Sequence, residues 1–169
     1  MAVQCANMSE QPSLNQRLTA AVLNGRHEEV DQLIELGANV NGRNTPLLTV
    51  AVLRKFERIV HLLASAPGVD VNEEDDDGFT ALYYAVRINV IKIAKILLER
   101  GAALKTRPDR SRRSLLCWAT FGQNVEMVGL LLKHGAKPDI LNTVDGWSNF
   151  HHAVYHGCCR SSHRVWRRR

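Results

Sequence analysis

The stretch "DGFTALYYAV", residues 77–86, decides the fold because the chain writes nearly the same phrase four times. "RNTPLLTVAV" at 43–52, "SRRSLLCWAT" at 111–120 and "DGWSNFHHAV" at 145–154 follow its order: a polar turn, then a short apolar run built around an alanine. A phrase that recurs at a steady interval marks stacked units, each too small to bury its own apolar face.

Glycine sets the interval. "LIELGANVN", "LLERGAALK" and "LLKHGAKPD" end alike at Gly37, Gly101 and Gly135, and "LLASAPGVDVN" is a version expanded by one residue, with Gly68. The spacings are irregular but lie at about 33 residues. Ahead of each glycine, Val30/Leu33/Ile34, Val60/Leu63/Ala64, Ala94/Leu97/Leu98 and Val128/Leu131/Leu132 fall at i, i+3, i+4. That places one apolar stripe on one helix face. The glycine then suits the left-handed residue that stops a helix. The preceding helix of each unit carries a small residue (Ala21, Ala51, Ala85, Ala119, Ala153), which lets neighbouring units approach closely.

On these motifs the chain resembles the ankyrin-repeat family over residues 14–157. "NTPL" at 44–47, "DGFTAL" at 77–82 and "GANVN" at 37–41 stand closest to the family pattern. The resemblance implies an all-α repeat solenoid of antiparallel helix pairs, four repeats plus a half repeat, with hairpin fingers projecting at right angles. It also implies that the concave surface of fingers and first helices binds other proteins. Departures are visible. The first finger, "NGRN", is short, Arg112 stands where the family has a turn glycine, and "SLL" replaces Thr-Pro-Leu in the fourth unit. After Gly157 the family would supply a second helix; "CCRSSHRVWRRR" offers only Val165 and Trp166, as a truncated or alternatively spliced terminus would. Residues 1–13 are therefore expected to be a flexible N-terminus and 158–169 a basic disordered tail.

Composition narrows the class. Hydrophobic residues at 45% and charged residues at 23% are ordinary for a globular protein. No apolar run reaches the roughly 18 residues of a membrane span, and the N-terminus lacks the pattern of a secretory signal. Four cysteines without framework spacing favour a reducing compartment, cytoplasm or nucleus. The net charge of +5 equals the five arginines of the tail, so the body is neutral and no general affinity for nucleic acid follows. The chain is expected to be monomeric by itself.

Three places could carry chemistry. "VDVNEEDDDG", 69–78, gathers Asp70, Glu73, Glu74, Asp75, Asp76 and Asp77, without the ligand spacing of a calcium loop. It reads as a solvated finger or a docking surface for a basic partner. "KTRPDRSRRS", 105–114, is its opposite, with Lys105, Arg107, Arg110, Arg112 and Arg113. The two fingers either partly neutralise each other or form a bipolar recognition surface, and no aromatic residue is interleaved as single-stranded nucleic acid would require. His152 and His156 have helical i, i+4 spacing near Cys158, Cys159 and His163, yet the set lacks the usual zinc spacing, and His151 matches the family's structural histidine. No phosphate loop and no nucleophile–base set is recognisable. The expectation is no enzyme, no metal and no cofactor.

The residues expected to meet a protein partner are the family's variable positions: Asp76, Asp77, Phe79, Arg87 and Ile88 in the third unit, and Arg110, Arg113 and Phe121 in the fourth. Trp147 and Tyr155 join them from the fifth. Phe79 and Phe121 supply apolar anchoring and the charges steer the encounter. Trp118 reads as mainly packed and Phe121 as exposed. A regulatory or targeting subunit is the alternative: the recognition arm of a ubiquitin ligase, or an inhibitor of a transcription factor, with its effector segment elsewhere.

Overall fold

Short apolar helices of 7 to 10 residues, joined by tight turns, bury their stripes by stacking in two layers. The computed structural model describes residues 12–41, 46–104, 114–137 and 151. Among the described residues the elements are α1 (Leu14–Leu23), α2 (His27–Glu35), α3 (Leu47–Leu53), α4 (Glu57–Ser65), α5 (Ala81–Arg87), α6 (Ile91–Glu99), α7 (Leu115–Phe121) and α8 (Val125–Lys133). Each pair α1/α2, α3/α4, α5/α6 and α7/α8 forms one unit. The first helices α1, α3, α5 and α7 pack in succession as one layer, and α2, α4, α6 and α8 as the other.

The core lies between these layers. Val30, Leu33, Val60, Leu63, Ala94, Leu97, Val128 and Leu131 are buried, as the i, i+3, i+4 stripes require. Ala21, Ala51, Ala85 and Ala119 are buried in the first-helix layer, where a larger side chain would push neighbouring helices apart.

Among the described residues, seven of these eight helices stop in the same manner. After α2, Gly37 has φ 84°, its amide bonds the carbonyl of Ile34, and the Ala38 amide bonds that of Leu33. This is the Schellman closure, and it recurs at Gly101 and Gly135. The first helices close likewise around Gly25, Lys55, Asn89 and Gln123, three of which hold a left-handed backbone without being glycine.

The exception is α4. Gly68 has a positive φ but does not stop the helix, which ends at Ser65 with Ala66 already extended (ψ 144°). Pro67 follows, and a residue before proline is excluded from the helical region. Arg100, just past α6 in the next unit, serves this end instead: its guanidinium donates to the Ala64 carbonyl at 3.2 Å and contacts the Ser65 hydroxyl. The "NTPL" stretch holds a second departure. Pro46 is the N-cap residue of α3, in the place held by Thr80 before α5 and Ser114 before α7, so the Thr-Pro-Leu match is one residue out of register with the other units.

Candidate partner-binding face

The fingers are tied to each other by asparagine side chains. Asn15 of α1 accepts from the Asn39 amide at 2.9 Å, and Asn41 accepts from the Asp70 amide at 2.9 Å while donating to the Gly68 carbonyl at 2.8 Å. Asn72 then accepts from the Ala103 amide at 2.7 Å. Within a unit, Asn39 and Asp70 accept from the amide two residues on, the Asx turn that such short side chains favour. The sequence cannot continue this ladder in the same way, because Lys105 stands where the next asparagine would fall.

The third finger turns on Asp75. Its Oδ1 accepts from the amides of Asp77 (3.1 Å) and Phe79 (2.9 Å), while its own amide donates to the Phe79 carbonyl (3.0 Å). Gly78, φ 81°, closes the turn, and Glu74 bridges Thr80. The Oδ2 atom accepts from the Tyr84 hydroxyl at 2.7 Å. Burial, then that hydrogen bond and the charges of Asp75 and Asp77, raise the Tyr84 phenol well above its ordinary range. The six carboxylates of this stretch are therefore not equivalent. Asp70 and Asp75 build turns, whereas Asp76 and Asp77 are exposed.

Phe79 brings the finger onto the first helices. Its ring stacks on Tyr83 at 4.2 Å between centroids and meets Tyr84 edge-on at 6.1 Å. Tyr83 meets Trp118 of the next unit edge-on at 6.4 Å, and Trp118 lies 6.4 Å from Phe121. The Arg87 guanidinium lies 5.8 Å from the Trp118 ring centroid, a cation–π distance. Aromatic side chains thus run without a break from the third finger to the end of α7. Tyr83 is buried, Trp118 is partly buried, and Phe121 is 36% exposed.

Superposing the units by their helix bounds shows a further regularity. Leu23, Leu53, Arg87 and Phe121 are each the last residue of a first helix. Leu23 and Leu53 are exposed by 42% and 48%, unusual for leucines at repeated places. One turn earlier on the same face stand Ala20, Val50, Tyr84 and Trp118. Leu23, Leu53, Val50 and Tyr84 escaped the sequence reading. Counting each unit back from its left-handed turn (Gly25, Lys55, Asn89, Gln123) aligns them, but three of those turns carry no glycine to announce them.

Of the residues expected to meet a partner, Asp76, Asp77 and Arg87 are exposed, Phe79 and Ile88 are partly buried, and Phe121 is exposed. Arg110, Arg113, Trp147 and Tyr155 lie outside the described residues, as do the basic finger, the short first finger and the histidine–cysteine segment apart from His151. The second-helix layer presents a different surface. Lys92 reaches Glu57 at 3.6 Å and Lys95 reaches Glu99 at 3.9 Å, exposed ion pairs of small energetic weight. Among the described residues no helix is long and apolar enough to cross a membrane, and no group of three His, Cys, Asp or Glu side chains could hold a metal ion.

Comparison with known proteins agrees with this geometry. Residues 18–108 match the family described as ankyrin repeats (3 copies), and residues 111–143 match ankyrin repeat. The chain is 27% identical over 145 residues to the nuclear factor NF-kappa-B p105 subunit of Gallus gallus, a match covering 83% of this chain and 15% of that protein. It is 30% identical over 142 residues to the ANK repeat-containing protein nipk-1 of Caenorhabditis elegans, covering 81% of this chain and 20% of the relative. It is also 30% identical over 111 residues to Rabankyrin-5 of Mus musculus, covering 64% of this chain and 10% of the relative. The chain therefore spans a fifth or less of the length of each. With repeated units, left-handed turns and paired layers all in place, the chain belongs to the ankyrin-repeat family, whose repeats are protein-interaction modules.

Proposed function

We propose that this chain is a non-catalytic interaction module that holds a protein partner on its finger-and-first-helix face, the concave face of the family's architecture. One observation carries the reading: large apolar side chains stay exposed at equivalent places along the first helices, beside a finger whose turn is fixed by hydrogen bonds. A surface that is apolar, ordered and rigid loses little entropy on binding, which is what a docking face needs. Among the described residues the second-helix layer offers exposed ion pairs and a single exposed leucine, Leu36 at the end of α2, rather than a repeated apolar row. Asp76, Asp77, Phe79, Arg87, Ile88 and Phe121 form the described part of the face, and Arg110, Arg113, Trp147 and Tyr155 extend it by sequence.

In a second reading the same face is the targeting arm of a regulatory protein. Its support is the likeness to the nuclear factor NF-kappa-B p105 subunit. Both readings meet the same test. Capture of a partner by the double variant Phe79→Ala/Phe121→Ala should fall sharply, whereas Lys92→Ala/Lys95→Ala should bind as the parent does. The reverse pattern would place the partner on the second helices.

A further inference from the structure

We propose that His61 and Arg100 form an acid-sensitive latch at the joint between the second and third units. While the His61 ring is neutral, Arg100 closes the end of α4. When the ring gains its second N–H, Arg100 is released and that end opens.

The latch follows from which groups accept a hydrogen bond. α4 ends without a glycine closure, and Arg100, the C-cap residue of α6, fills the gap from the next unit. Its guanidinium meets three partners there: the Ala64 carbonyl at 3.2 Å, the Ser65 hydroxyl, and His61 Nε2, 3.4 Å from Nη2. A guanidinium has donors and no acceptor, so each partner must accept. The carbonyl always does. Ser65 donates its own proton to the His61 carbonyl at 2.6 Å, which leaves its oxygen to accept from Arg100. His61 accepts only while Nε2 carries no proton and the ring hydrogen sits on Nδ1. Of the three acceptors it alone turns into a donor. Both side chains are exposed, and an exposed histidine ordinarily takes up its proton as pH falls through about 6.5. The imidazolium then offers no lone pair and sets a second cation beside the guanidinium.

The charges around His61 do not hold the pair together once both are cations. On α4 itself Glu57 and Arg58 lie one turn before the ring, and Glu57 is engaged by Lys92 of α6 at 3.6 Å. Lys95 of α6 engages Glu99 at 3.9 Å. The helix α3 carries no charged side chain. On α2, Glu29 pairs with Arg26, Glu28 lies in the first turn, and Asp31 and Glu35 hold the places that His61 and Ser65 hold on α4. Among the described residues no carboxylate pairs with the His61 ring. Release reaches beyond one helix end. Residues 66–70 lead from α4 into the acidic finger, and Asn41 holds that lead by donating to the Gly68 carbonyl and accepting from the Asp70 amide. At the ends of α2, α6 and α8 the backbone makes the closure around a glycine, and no titrating side chain takes part in it.

Amide hydrogen exchange of the full chain tests this at about pH 7.5 and about pH 5.5, on either side of the ordinary histidine range, with each rate referred to the unfolded-chain rate at the same pH. Protection at residues 63–66, 69 and 70 should fall about fivefold at the lower pH, the weight of one lost hydrogen bond. Residues 33–38, at the end of α2, should keep theirs. His61→Gln, whose amide oxygen accepts at either pH, should abolish the fall. Arg100→Leu should show the low protection at both pH values, and circular dichroism and melting show that both variants fold. No fall in the parent, or an equal fall in His61→Gln or Arg100→Leu, overturns the proposal. So does a fall of the same size at residues 33–38, which would mean that acid loosens the array as a whole.

Discussion

The Tyr84 hydroxyl donates to Asp75 Oδ2 at 2.7 Å while Oδ1 of the same carboxylate accepts from the amides of Asp77 and Phe79. One side chain in the finger thus fixes both its own turn and its attachment to α5. Rigidity at this corner places Phe79 against Tyr83 and holds the finger at a set angle to the first helices.

Replacing Tyr84 by Phe keeps the ring and removes the donor. It should cost about 1 kcal/mol at pH 8, read as a lowered urea midpoint. The pH dependence has a definite sign. The folded phenol titrates above its ordinary value, so the stability it contributes is fully present below pH 10 or so and is lost as pH rises through its raised folded value. The gap between the parent and Tyr84→Phe should narrow from pH 10 upward.

Thr49 is buried in α3, and its hydroxyl finds no partner among the described residues. The same place is held by Tyr83 in α5 and Cys117 in α7. Valine has the same shape without the unpaired oxygen, so Thr49→Val should stabilise the fold by about 1 kcal/mol. A thermal melt that moves down for this variant would mean that the hydroxyl is satisfied.

Gly25 and Lys55 occupy equivalent left-handed turns, φ 72° and 59°, and should respond in opposite directions. A Cβ on Gly25 would stand 2.9 Å from the Phe56 ring of the next unit, so Gly25→Ala meets both backbone strain and a displaced aromatic. It should destabilise by about 1–3 kcal/mol, whereas Lys55→Gly, which relieves the left-handed strain, should stabilise by up to about 1 kcal/mol. Chemical unfolding of the two variants side by side gives the comparison.

Arg100 substitutes for the glycine closure that α4 lacks, bonding the Ala64 carbonyl from the neighbouring unit. Arg100→Leu should cost about 1 kcal/mol and loosen the end of α4. Hydrogen exchange should show faster opening at residues 62–66 and no change at the end of α2, where Gly37 makes its own closure.

Much of this fold was legible because the stripes and the glycines report the same period. Leu97 and Leu131 are buried where the i, i+3, i+4 pattern puts them, and Gly37, Gly101 and Gly135 are left-handed as a helix stop requires. What escaped was set by tertiary contact. Gly68 looked like its counterparts, but Pro67 forces Ala66 out of the helix, and the missing closure is made by a residue 36 positions away. In the acidic finger, composition grouped carboxylates that geometry separates: Asp75 is spent on the turn and on Tyr84, while Asp76 and Asp77 face solvent. Leu23 and Leu53 drew no attention because they belong to apolar runs, and only the helix bounds and their exposure set them apart from the buried leucines.

The central claim is that the exposed row of the first helices is where a partner sits. Hydroxyl-radical footprinting of the chain, alone and with a bound peptide or protein, tests it most directly, because it reads side chains on both layers in one experiment. Leu53, Tyr84, Trp118 and Phe121 should lose most of their oxidation in the complex, while Leu36, 64% exposed at the end of α2, should be oxidised as before. Protection of Leu36 with no change at Leu53 and Phe121 would contradict the account.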